Sequence, residues 1–119
     1  MDTKKFDKTL LVFFENAEKY GNAILEGNYK EANRAYNKII KSKNTLVSED
    51  RLDSIYHFIN MGSPSVKLWI ARYLLFNTEY YQESRNILEH IKNSEENLLS
   101  TIAEQTLIAW DKGNLTLDY

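Results

Sequence analysis

The sequence predicts an all-α protein built as three stacked helical hairpins, about six helices winding into one superhelical domain over residues 1–119. Three observations carry this prediction. Apolar residues recur at three- and four-residue spacing along most of the chain, no stretch alternates as a strand would, and glycines and the lone proline fall between the apolar runs. The chain has 119 residues, 43% of them hydrophobic, enough to bury one core without disulfide or metal staples. It contains no cysteine, which excludes thiol catalysis, disulfides and cysteine-based zinc sites and fits a reducing compartment.

The first helix is expected over about residues 3–26, with Phe6, Leu10, Phe13, Phe14, Ala17, Ile24 and Leu25 on one stripe and Gly21 as a break or kink. A second, about 29–43, carries Tyr29, Ala32, Tyr36, Ile39 and Ile40, with Lys30, Glu31, Arg34, Lys38 and Lys41 on the other face. Together, residues 1–45 read as a divergent capping hairpin. Ser48 suits the N-cap of a third helix bearing Leu52, Ile55, Tyr56 and Ile59, with Gly62 in the left-handed position that ends it. Ser63 and Pro64 form a stronger start signal, because proline at the first helical position forfeits an N–H that would be unpaired there anyway. The fourth helix is apolar almost all round, with Lys67 and Arg72 as its only charges, and so belongs in the middle of the fold. A fifth follows at about 79–92 and a sixth at about 95–112, opened by Ser94 with Glu95 and Glu96 in its first turn.

Shifting the chain by 32 residues aligns Ile55 with Ile87, Tyr56 with Leu88, Ile59 with Ile91, Val66 with Leu98, Ile70 with Ile102, Ala71 with Ala103 and Leu75 with Leu107. This makes residues 48–76 and 79–112 two copies of one hairpin, the signature of a helical-repeat array. Residues 63–75, a turn, Pro64, Val66 followed by Lys67, then Ala71 and Leu75, resemble the second helix of a HEAT repeat. The departures are Ser63 where aspartate is usual and bulky Trp69 and Ile70 near a small-residue position. With Ala103, Leu107 and Trp110 in the last helix, the chain is similar to a bacterial family of small HEAT-like helical-repeat proteins known as a domain of unknown function. The resemblance spans about 29–113 and implies a fold more than an activity.

Little in the sequence points to catalysis. His57 and His90 lie 33 residues apart, and neither has a second ligand at i+4, so no metal site or cofactor is expected. No Gly-x-Ser-x-Gly elbow or glycine-rich phosphate loop is present. Among the carboxylates, Glu104 stands out because Arg72 lies 32 residues before it: either the two pair across the repeats and contribute to a binding surface, or Glu104 is a solvated side chain. Aromatic residues are plentiful, and Trp69, Tyr73 and Phe76 form one stripe, with Tyr80 and Tyr81 beyond it.

The function expected is therefore binding, not catalysis: a protein-binding module whose contact residues are Trp69, Arg72, Tyr73 and Glu104. Its specific form is a cytoplasmic immunity protein, by analogy with inhibitors among similar folds, that binds and sterically blocks a cognate bacterial toxin. Residues 63–119 carry five basic and eight acidic side chains, which suits a toxin with a basic surface. No secretory signal or membrane span is expected, since the run Leu10 to Phe14 is too short and ends at Glu15, and the Asn114-Leu115-Thr116 sequon is read as incidental. The alternatives are a cytoplasmic adaptor of unknown partner and a HEAT-like nucleic-acid binder, the latter disfavoured by a net charge of -2.

Overall fold

Asp7 opens the first helix by accepting a hydrogen bond from the Leu10 amide at 3.1 Å, satisfying one of the N–H groups that a helix leaves unpaired at its start. In the computed structural model, which describes residues 7–94 and 97–117, five α-helices and one 3₁₀ helix follow one another and no strand occurs among the described residues. They are α1 (Lys8–Leu25), α2 (Tyr29–Ser48), the 3₁₀ helix (Leu52–Phe58), α3 (Pro64–Leu74), α4 (Tyr81–Ser94) and α5 (Leu98–Asp111). The all-α class and the count of six helices agree with the sequence. Phe6, Glu95 and Glu96 lie outside the described residues.

Three of the helices end alike. After α1, Gly27 takes a φ of 72° and the Asn28 amide reaches back to the Ala23 carbonyl at 2.8 Å; after α5, Gly113 at 74° lets Asn114 reach Ala109 at 2.8 Å. The end of α2 uses Asp50, at φ 56°, with Arg51 donating to Leu46 at 2.8 Å. This corrects the expected start of the third helix. Ser48 is the last residue of α2 and its hydroxyl donates to the Thr45 carbonyl, while the next element is only a seven-residue 3₁₀ helix. Ser94 likewise closes α4, and Asn97 caps α5 by accepting from Leu99 at 2.8 Å. Gly62 is not left-handed; its role is spatial, because a Cβ there would meet Val66 Cβ at 2.5 Å.

The helices pair in chain order, α1 with α2, the 3₁₀ helix with α3 and α4 with α5, and α3 also touches α1, α4 and α5. Eight of its eleven residues are buried, as its all-round apolar pattern requires. Two apolar clusters result. One gathers Phe13, Ile39, Ile55, Phe58, Trp69 and Tyr73 around α1, α2 and the 3₁₀ helix; the other gathers Leu68, Ala71, Leu75, Leu88, Leu99 and Ala103 around α4 and α5. Of the repeat pairs, Ala71 and Ala103 are both fully buried, whereas Leu98 is exposed where Val66 is not. Tyr56 stacks on Tyr80 at 4.2 Å and donates to Glu83 Oε1 at 2.8 Å, tying the 3₁₀ helix to α4. Arg85 and Asp111 tie α4 to α5 through two parallel bonds of 2.9 and 3.2 Å.

Helix α1 continues unbroken through Gly21, which is buried against the start of α3. There the Ser65 hydroxyl donates to the Ala17 carbonyl at 2.7 Å, the Ser63 hydroxyl donates to Glu18 Oε1, and a Cβ on Gly21 would lie 2.4 Å from Ser65 Cβ. Ser63 therefore occupies the N-cap position of α3, its carbonyl accepting from the Lys67 amide, without its side chain capping that helix; Glu18 of α1 brings a carboxylate to that end instead.

Two outcomes follow from these contacts. Alanine normally improves a helix interior over glycine by about 1 kcal/mol, yet Gly21→Ala should lower stability by about 1–3 kcal/mol through overpacking, read as a lower urea midpoint. The Arg85 bond holds the Asp111 carboxyl below its ordinary value, so its stabilising contribution is full above a pH of about 3.9 and is lost as pH falls through the lower folded value. An NMR titration of Asp111 should move upward in Arg85→Met.

Candidate functional site

Helix α3 decides where the expected contact residues lie. Trp69 is 4% exposed and Tyr73 1%, so neither presents a surface to a partner. Trp69 is enclosed by Tyr20, edge-on at 5.2 Å, and by Tyr36 at 5.8 Å. Tyr73 leans on Phe13, and burial pushes its hydroxyl to a higher pKa than an ordinary tyrosine. Burial does the same, more mildly, to Tyr20. Trp69 and Tyr73 of the stripe are thus core, whereas Phe76 is exposed. The other aromatics singled out from the sequence are also engaged within the chain: Tyr80 by Tyr56, and Tyr81 and Phe76 by Trp110.

Arg72 and Glu104 do not pair. Arg72 Nη1 donates to Thr106 Oγ1 at 3.1 Å, while Glu104 points to solvent. The reason lies in helix geometry: residues 104 and 106 are two positions apart, about 200° around α5. Thr106, beside Ala103 and Leu107, is on the buried side, so Glu104 cannot be. Sequence offset correctly matched the two helices but placed the polar partner two residues early. His57 and His90 are both exposed, and among the described residues no three histidine, aspartate or glutamate side chains group as metal ligands. No helix among the described residues is long and apolar enough to cross a membrane.

Two surface features remain as candidate sites. A cleft of about 370 Å³ lies between the start of α3 and α4, with Pro64, Ile87 and Ile91 as an apolar floor and Lys67, Glu83, Asn86 and His90 around it. The residues from α4 share a face because 83, 87, 90 and 91 follow the three- and four-residue spacing of one helix side. In the sequence Ile87 and Ile91 stand out only as partners of Ile55 and Ile59 in the repeat, and His90 only as a metal candidate; Glu83 and Asn86 on the same face were the missed signal. The second feature is a groove between α1 and α2, where two adjoining hollows of about 420 and 390 Å³ share Asn16, Lys19 and Lys38. Lys8, Lys41 and Arg34 extend it, against Glu15, Glu26 and Glu31. Helix α1 alone is evenly charged, with Lys8 and Lys19 against Glu15 and Glu18, while α2 is basic, and pairing the two brings Lys8 and Lys19 alongside Lys38 and Lys41. No aromatic side chain lines it.

No protein-family model, curated protein or solved structure matches this chain. Burial makes a clear contrast testable. Trp69→Ala should cost about 3–5 kcal/mol, whereas Glu104→Ala should stay within about 0.5 kcal/mol of the native chain, both measured by urea unfolding.

Proposed function

We propose that this chain is a non-catalytic protein-binding module. The observation that carries the reading is the cleft between α3 and α4, whose apolar floor can take a partner's apolar side chain while Lys67, Glu83 and His90 offer both charge signs at the rim. Such an arrangement places desolvation at the centre and orientation at the edge, the usual division of labour in a protein interface.

The finer form we propose is an immunity-type protein that covers the substrate cleft of a cognate bacterial toxin and blocks it sterically. Glu79, Glu83, Glu104 and Asp111 are exposed on the second half of the chain, which would attract a toxin with a basic surface. A cytoplasmic setting belongs to the same proposal. The lysine groove between α1 and α2 favours a second reading, an anionic partner such as nucleic acid. Its lack of aromatic side chains leaves bases nothing to stack on, so it ranks below the first.

Capture from lysate by the tagged chain, at two salt concentrations, separates these readings. The expected result is one stoichiometric protein, retained at both concentrations. Asn86→Trp with His90→Asp, at exposed rim positions, should weaken that capture at least about tenfold, or ~1.4 kcal/mol. Recovery of nucleic acid alone, released by salt, would overturn the protein-binding reading in favour of the lysine groove.

A further inference from the structure

After Gly113 turns α5 aside, residues 114–117 leave the helix and cross α3 toward α2. Leu115 sits beside Arg72, Thr106 and Ala109 at a cleft of about 250 Å³, and packs on the α4–α5 cluster. Leu117 packs on the other cluster, and its carbonyl accepts from the ammonium of Lys43, a lysine only 1% exposed. That ammonium also lies 5.7 Å above the Tyr73 ring. Around Arg72 and Tyr73, which the sequence suggested for partner contact, the surface of α2, α3 and α5 is therefore covered in part by the chain itself, while Glu104 stays exposed.

We propose that this face is a peptide-binding groove, held in the present structure by residues 113–117 as an internal occupant, and that it accepts in trans an extended protein segment with two leucines at alternate positions. The occupant's chemistry is read from what already sits there: two apolar side chains two residues apart and a main-chain carbonyl for Lys43. A buried lysine is a costly feature for packing alone, and a carbonyl acceptor fixed at its end gives it a recognition role.

Two further observations separate this from a merely folded-down segment. Leu115 and Leu117 are half-buried while Asn114 and Thr116 face solvent, so the internal occupant fills the groove shallowly. On the same side of α3 as Lys43, which lies over its ring, Tyr73 carries a buried hydroxyl, in the field of Arg72, with no hydrogen-bond partner among the described residues. A buried donor left without an acceptor is a loss that an incoming segment with an acceptor side chain would recover. The internal segment then acts as a competitor that lowers apparent affinity by the fraction of time it is seated.

The groove is separate from the cleft between α3 and α4, so its test stands apart from the toxin reading. The probe is a fluorescein-labelled peptide of residues 112–117, followed by anisotropy against the full chain. Leu115→Ser with Leu117→Ser, which unseats the internal occupant, should bind the probe at least tenfold more tightly than the native chain. Adding Lys43→Met should remove most of that gain, and Asn86→Trp with His90→Asp should leave it unchanged. A double-serine variant that keeps its helical circular dichroism yet binds no better than native would overturn the proposal. Should that variant lose its helices, hydrogen exchange of the native chain decides. The Leu115 and Leu117 amides are expected to exchange by local opening, at least tenfold faster than the core amides of α3; exchange only through global unfolding would overturn the groove's availability.

Discussion

Helix α3 reaches the centre of the molecule because α1 carries no side chain at Gly21. With nothing projecting there, the backbones approach closely enough for the Ser65 hydroxyl to reach the Ala17 carbonyl, and Glu18 falls against the first turn of α3. Everything else about α3 follows from that depth. Its apolar circumference finds α1 on one side and α4 and α5 on others, and Trp69 and Tyr73 become interior residues ringed by Phe13, Tyr20 and Tyr36. A wider crossing would leave those aromatics at a surface, where the sequence suggested a partner would meet them.

Much of the architecture was legible because it rests on local signals. Ser63 and Pro64 marked the start of α3, Gly27 and Gly113 marked ends that use their left-handed freedom, and Ala71 and Ala103 marked the buried faces of α3 and α5. What stayed hidden depends on distance in three dimensions. Ser48 looks like a cap until α2 is seen to run five residues beyond its expected end, because Asp50 rather than a glycine takes the left-handed turn. A 3₁₀ helix and an α-helix share so much apolar spacing over seven residues that Leu52, Ile55 and Tyr56 could not distinguish them. Gly21 and Gly62 read as breaks, yet each makes room for a neighbour distant or near in sequence.

The same limit governed the site. Offset alignment can match helix to helix but not face to face, so it sets Arg72 opposite Glu104, which is solvated, when Thr106 holds the arginine. Charge counting by halves likewise concealed the lysines that α1 and α2 bring to one groove, since the basic excess of α2 is offset in the sum by acidic residues elsewhere in the first half. Buried polar residues were the least visible: nothing in the neighbourhood of Lys43 in sequence sets it apart from the solvated lysines at 38 and 41.

The two apolar clusters meet along α3, with Ile87 of α4 packing against both. Long helical arrays owe their modular behaviour to units that touch only the next in line, so that melting at one end spares the other. Here the middle helix belongs to both halves at once. Loosening α4 and α5 would strip one side of α3, and with it the wall that keeps Trp69 and Tyr73 in place beside α1 and α2. The chain therefore trades the modularity of an extendable stack for all-or-none cooperativity, and a fourth pair could not be inserted at its middle without dividing the core that makes it fold.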